Sequence, residues 1–284
     1  MCGRFVSARK RLELLEQFAV ERDSVAEDRQ PDYNVAPTKR IYAVLDHKER
    51  LAGPAPPRGD GGRAALHAGV SPGVHPPGPA PRELRLVRWG LVPSWAKDTS
   101  GGARMINARA ETVASKPAFR AAFGRRRCLI PADGYYEWQT VGKAKQPYYI
   151  YRTDGGVLAF AGIYELWRDA SAPADDEDAW YWSAAIITTD ATDDIGKIHD
   201  RTPMVIAPES WTDWLDPANN EKELLLATML PATSSAAGGL TSHPVSMAVN
   251  SVRNNGPDLV EPLGDAGSLA RGSGSGEEKR PPLF

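Results

Sequence analysis

Three dense β-forming runs in the second half of the chain restrict the fold most. Residues 148–153, 157–167 and 180–189 are crowded with aromatic and β-branched side chains and bounded by Gly, Pro or Asp. Such side chains lose rotamer freedom in a helix and fit the pleated surface of a sheet. Two shorter runs, 128–131 and 135–139, read as strands around the turn Ala132-Asp133-Gly134. Helical patterns are fewer. Residues 8–19 follow Ser7, a candidate N-cap, and place Leu12, Leu15 and Ala19 on one face. Residues 115–123 follow Ser115, 208–215 open with Pro208, and 221–229 form a short amphipathic run. Antiparallel-type strands with peripheral helices predict an α+β fold, a single domain with a mixed, mainly antiparallel β core.

Two segments stand apart. Eight prolines and seven glycines fall among the 29 positions 53–81. Missing N–H donors and free backbones prevent a lasting helix or strand there, so the stretch reads as a flexible insertion between two strands. From Gly264 the chain is again Gly/Ser-rich, and the domain is expected to span 1–263, with 264–284 a flexible tail. The tail ends in Arg280-Pro281-Pro282-Leu283-Phe284. Its two terminal apolar side chains have no core of their own to enter, and prolines lower the ordering cost of docking. This ending is loosely similar to peptides that bind the bacterial replication sliding clamp, which makes a clamp a candidate partner.

Several classes are excluded. No apolar run approaches the roughly 20 residues a membrane helix needs, so no membrane partner is expected. The first residues lack a signal-peptide core, and a cytoplasmic protein is expected. Cys2 and Cys128 are the two cysteines, too few for a disulfide framework. No CxxC or HxxxH spacing exists, and neither a metal nor a cofactor is expected. The net charge is −2, but Asp169, Asp175, Asp176, Glu177 and Asp178 carry −5 and leave +3 on the rest. Arg120 and Arg125-Arg126-Arg127 could then form a modest basic face.

Cys2 is the sharpest chemical feature. Initiator methionine is generally removed before a small residue, which would leave a 1,2-aminothiol. Its amine titrates near about 7.7–8.0, so roughly a tenth or more is neutral at neutral pH. The amine can condense with an aldehyde, and the thiolate can close the Schiff base to a five-membered thiazolidine. An internal cysteine cannot do this; a Cys2 that only packs is the plain alternative. Asn107, Glu137 and His199 lie in apolar, turn-rich surroundings. Singly, Asn107 reads as a turn cap, Glu137 as an arginine partner and His199 as a satisfied core histidine. Beside a reactive amine they would supply an amide orienter, a carboxylate base and an imidazole acid. His47, His67, His75 and His243 are weaker candidates.

Seven segments together carry a resemblance: Met1 to Phe5, Tyr33 to Pro37, Trp89 to Trp95, Ile106 to Thr112, Pro131 to Trp138, Ile198 to Pro203 and His243 to Ser246. In this order they resemble the SOS response-associated peptidase (SRAP) family of abasic-site processing proteins, over residues 1 to about 262. The insertion at 53–81 and the tail lie outside the resemblance. It implies that Cys2 traps abasic sites in single-stranded DNA as a covalent thiazolidine, with associated lyase and autoproteolytic activity. It implies that Asn107 orients the Cys2 amine and opened sugar, that Glu137 manages protons, and that His199 acts near the adjacent phosphate. Arg4, Arg109 and Arg201 would hold phosphates, and Pro37, Trp89 and Trp138 would offer apolar faces to bases. Trp95, Trp167, Trp180 and Trp182 are expected in the core. Three rivals stay open: an N-terminal-nucleophile amidohydrolase, a non-catalytic reader of DNA or modified bases, and a peptidase acting on other proteins.

Overall fold

The computed structural model describes residues 2–46, 81–173, 175, 176, 179–222, 225–227 and 239–264. Its strands are β1 (Phe5–Ser7), β2 (Val20–Asp23), β3 (Asp32–Val35), β4 (Arg40–Asp46), β5 (Arg82–Trp89), β6 (Asn107–Arg109), β7 (Arg127–Ala132), β8 (Gly134–Val141), β9 (Ala144–Arg152), β10 (Leu158–Arg168), β11 (Trp180–Asp190), β12 (Arg201–Pro203) and β13 (Leu240–Pro244). The three dense runs are the cores of β9, β10 and β11. The two short runs are β7 and β8.

Five strands close on themselves. β11 pairs β10, then β7, β4 and β5 follow, each antiparallel to the last. β5 returns to β11 in parallel, with Ser183 beside Arg88 and Ala184 beside Trp89. Closure removes unpaired edges. It also divides the side chains by the period of two that strands impose. Ile41, Ala43, Leu45, Val87, Trp89, Cys128, Ile130, Phe160, Ala184 and Ile186 share one apolar cluster inside the ring. Their alternates Tyr42, Val44, Leu84, Leu129, Ala161, Ile163, Ala185 and Ile187 belong to a second cluster with the helices. The space inside is narrow at Gly162: a Cβ there would meet the Cys128 sulfur at 2.6 Å and Ile130 Cδ1 at 2.9 Å. Gly162→Ala is therefore expected to destabilise by about 1–3 kcal/mol through overpacking, seen as a lower urea midpoint at unchanged slope.

The chain leaves this ring at Asp133, between β7 and β8. The Asp133 carboxylate accepts from the Ala8 backbone N–H at 2.6 Å and from Arg9 Nε at 2.9 Å, which pins the turn to the N-terminal segment. A second, five-stranded antiparallel sheet follows in the order β13-β9-β8-β1-β3. Its outer face, with Val6, Tyr136 and Tyr149, is covered by Val245, Val249 and Leu259. The segment 53–81 lies between β4 and β5, adjacent antiparallel strands; apart from Pro81 it falls outside the described residues, as do residues 265–284 of the tail.

The helices depart from expectation. α1 is Arg11–Gln17, capped at Lys10, while Ser7 ends β1. It buries Leu14, with Phe18 one turn on, whereas Leu12 is 73% exposed. Phe18 decides the face, because its ring stacks on Trp211 at 4.5 Å. The run 115–123 breaks: α2 (Ala110–Val113) precedes it, and α3 (Arg120–Arg125) starts late with Phe119 in the cap position. Pro208 opens a short 3-10 turn that leads into α5 (Trp211–Leu215), as expected of a helix-starting proline. Only part of the 221–229 run is described. Of the basic face expected at Arg120 and 125–127, Arg120 and Arg125 are exposed, but Arg126 and Arg127 are turned to other uses. Arg127 is buried and donates to the carbonyls of Phe123, Gly124, Trp214, Asp216 and Asn219, so it caps two helix ends from inside. Arg126 pairs with Glu165 at 2.8 Å.

Candidate active site

The seam between the two sheets brings Cys2, Asn107, Glu137 and His199 together. Cys2 leads into β1, which lies against β8 with Phe5 opposite Tyr135. Tyr136 N–H donates to the Arg4 carbonyl at 3.0 Å and holds this leading segment down. Cys2 is fully buried. Asn107 opens β6, which runs parallel to β11 with Ile186 beside it. Its Nδ2 donates to the Cys2 carbonyl at 2.7 Å. Its Oδ1 is buried and has no hydrogen-bond partner among the described residues. A buried acceptor left this way costs about 1–3 kcal/mol, so a donor brought to Asn107 Oδ1 would relieve that cost.

Glu137 lies on β8, two residues past Tyr135, and is 2% exposed. Burial holds its carboxyl above the usual carboxylate range, and the N-terminal amino group, followed by His199, opposes that only in part. His199 sits between α4 (Asp193–Gly196) and β12, with Nε2 4.0 Å from Glu137 Oε2. The Arg201 backbone N–H donates to His199 Nδ1 at 3.0 Å. That bond makes Nδ1 an acceptor in the neutral ring and puts the proton on Nε2, toward Glu137. Asp200 Oδ1 lies 2.9 Å from the same Nδ1. The Tyr135 hydroxyl meets Thr202 Oγ1 at 2.8 Å and feels the charges of Cys2 and Glu137, though burial dominates in raising its pKa. Burial also pushes the Cys2 thiol up, the Glu137 charge adds to this, and a hydrogen bond from the Arg4 backbone N–H pulls the other way. The thiol therefore rests protonated and needs a base as it reacts.

The profile of the family described as SOS response associated peptidase (SRAP) matches residues 1–252. The chain belongs to the SRAP family. It is 34% identical over 262 residues to the abasic site processing protein YoqW of Bacillus subtilis, which covers 92% of this chain and 99% of that one. YedK of Escherichia coli, also named an abasic site processing protein, is 31% identical over 270 residues, 93% of this chain and 100% of its own. The chicken protein HMCES, from Gallus gallus and of the same description, is 34% identical over 205 residues, 64% of this chain and 58% of its own. A crystal structure of a protein from Bacteroides thetaiotaomicron superposes with a TM-score of 0.69 at 22% identity, covering 92% of this chain and all of that one, and supports the fold.

The remaining expected contacts of this SRAP chain spread over several environments. Arg109 is exposed on β6, two residues from Asn107. Arg4 is half-buried: its Nη1 donates to Asn34 Oδ1 at 2.7 Å and to the Val249 carbonyl at 2.8 Å, and its guanidinium lies 5.9 Å from the Trp138 ring centre. Trp138 is half-buried and donates to Asn250 Oδ1 at 2.7 Å, and Pro37 is half-buried beside β3. Trp89 is a correction: it is wholly buried, edge-on to Phe5 at 5.2 Å and bonded to the Ile106 carbonyl, so no base can stack on it. Trp95, expected in the core, is 69% exposed. It lies between Ser94 and Ala96, past the end of β5 and outside any regular element. Arg201 also differs from expectation. It is 7% exposed and its guanidinium is held by Glu111, Asp190 and the Thr188 carbonyl, so a phosphate contact would require releasing those bonds. These bonds tie the His199 loop to α2 and β11. His243 bonds the Val260 carbonyl on the far strand β13, and His47, His67 and His75 lie outside the described residues. Among the described residues no group of three or more His, Cys, Asp or Glu could hold a metal ion, and no helix is long and apolar enough to cross a membrane.

Proposed function

We propose that this protein captures abasic sites in single-stranded DNA through the amine and thiol of a mature N-terminal Cys2, after removal of Met1. The observation that carries the reading is the convergence of a buried Cys2 with an amide gripping its carbonyl, a carboxyl of raised pKa and an imidazole, from four separate segments. In the reaction the neutral Cys2 amine adds to the C1′ aldehyde of the ring-opened sugar. The resulting carbinolamine loses water, with Glu137 giving the departing hydroxyl a proton. The thiol sulfur then adds to the C=N carbon while its proton passes by way of the Glu137 carboxylate to the ring nitrogen. Aldehyde and aminothiol thus become thiazolidine and one water. Asn107 Oδ1 accepts from the amine or from a sugar hydroxyl. His199 Nε2–H faces the sugar and its neighbouring phosphate and donates during ring opening or reversal. Arg201 serves by holding the His199 loop.

The test is incubation with a single strand bearing one abasic site, followed by denaturing electrophoresis and intact mass. A covalent species lacking the mass of Met1 and of one water is expected; a transient thioester with a glutamine-type substrate instead would favour the amidohydrolase.

Arg109 is assigned to a phosphate flanking the lesion, with Trp95, Pro37 and Trp138 as base platforms. Arg109→Ala is expected to weaken binding to any single strand and to lower the slope of log K against log salt by about 0.7, the value for one phosphate contact. Fluorescence anisotropy across a salt series measures both, and an unchanged slope would reject the assignment.

A further inference from the structure

Arg40 and Arg88 face each other directly across the antiparallel pair β4 and β5. Both are exposed. Like charges opposite one another on a sheet destabilise it unless something neutralises them. Neighbouring cations have partners: Lys39 and Arg85 are neutralised by Asp32 at 2.7 Å and Glu83 at 2.8 Å, and Arg82 donates to the Phe18 carbonyl at 2.8 Å. Neither the Arg40 nor the Arg88 side chain has a hydrogen bond or ion pair among the described residues. The pair also has a defined relation to the active site. Thr38 N–H donates to the Trp89 carbonyl and Trp89 N–H to the Lys39 carbonyl, both at 2.9 Å, which seats the Pro37 turn beside Arg40 and Arg88. On the inner side of the same strand end, Trp89 bonds the carbonyl of Ile106, next to Asn107.

We infer that Arg40 and Arg88 together bind a backbone phosphate of the DNA strand as it runs from the active site past Pro37. Two guanidinium groups on adjacent strands present parallel donors that suit a phosphate diester, and its charge removes their mutual repulsion. This site rests on the DNA reading of the active site but not on the chemistry of Cys2. The test therefore uses undamaged single strands and the Cys2→Ala protein. Arg40→Gln and Arg88→Gln, singly and together, keep a polar side chain and part of the aliphatic stem while removing charge. Binding is measured to a long strand and to a strand of a few nucleotides that occupies the active site alone. The expected result is a fall of about 0.7 in the salt slope for each single variant on the long strand, no change on the short one, and a higher melting temperature at low salt that converges with the parent at high salt. Unchanged affinity and slope on the long strand would overturn the phosphate site, as would equal losses on both lengths. Failure of the parent protein to bind either strand would overturn the DNA reading itself, and this site with it.

Discussion

Cys2→Ala is expected to abolish the proposed covalent adduct, and Cys128→Ala to leave its yield per folded molecule unchanged. Both thiols are wholly buried and both are pushed up by burial, so burial does not distinguish them. Position does. Cys128 lies in the ring wall with its sulfur against Gly162, and an internal thiol has no adjacent amine to start the condensation. Cys2 has the Asn107 amide on its carbonyl and Glu137 within electrostatic reach. Cys2→Ser is the finer probe. It keeps the amine and so still forms a Schiff base, which borohydride reduces to a stable amine. Without the sulfur no durable ring forms, and the untreated link is lost on heating. Persistence of a heat-stable adduct at parental yield in the Cys2→Ala protein would reject the assignment. Extra residues retained ahead of Cys2 are expected to suppress the adduct as well, because they turn the amine into an amide.

The strands that wall the site were legible because their pattern is local. β-Branched and aromatic density in 157–167 and 180–189 marks β10 and β11 without reference to any partner. The helix faces were not legible in this way. Leu12, Leu15 and Ala19 form as good a stripe as Leu14 and Phe18, and the choice depends on Trp211, far along the chain. The tryptophans show the same limit. Trp89 and Trp95 share one motif, yet one closes the ring beside Phe5 and the other meets solvent, because alternation in β5 turns Trp89 inward while Trp95 lies past the strand's end. Asn107, Glu137 and His199 could be picked out by residue type and by resemblance. Their proximity could not be read, since it depends on β6 lying parallel to β11 and on β1 docking against β8. Arg201 marks the boundary most clearly: its sequence neighbourhood suggests a phosphate contact, while Glu111, Asp190 and Thr188, each distant in sequence, claim its guanidinium.

Glu137→Gln is expected to slow the proposed crosslinking by about 10²-fold or more, the usual loss when a positioned proton donor and acceptor is removed, and also to make the protein more stable at neutral pH. The two effects have one cause. A carboxyl in this site is held above its ordinary pKa by burial, which means that ionising it costs folding free energy. The sign follows directly. Below the unfolded pKa of about 4.3 both states hold the proton and there is no penalty. As pH rises from there, the unfolded chain ionises first, and the native state loses stability until the folded pKa is passed. Above that point the full penalty persists. Gln carries no such charge, so melting temperatures of the two proteins are expected to diverge upward from about pH 4.3 and to level off at higher pH, with Glu137→Gln the higher by about 2–4 °C for each kcal/mol relieved. The crosslinking rate is expected to fall on the alkaline side as Glu137 ionises and can no longer protonate the departing hydroxyl, and that limb should disappear in the Gln variant. A raised melting temperature with an unchanged rate would make Glu137 a burden without a catalytic role. A lost rate with a lowered melting temperature would mean that its contacts hold the site together and that proton transfer lies elsewhere.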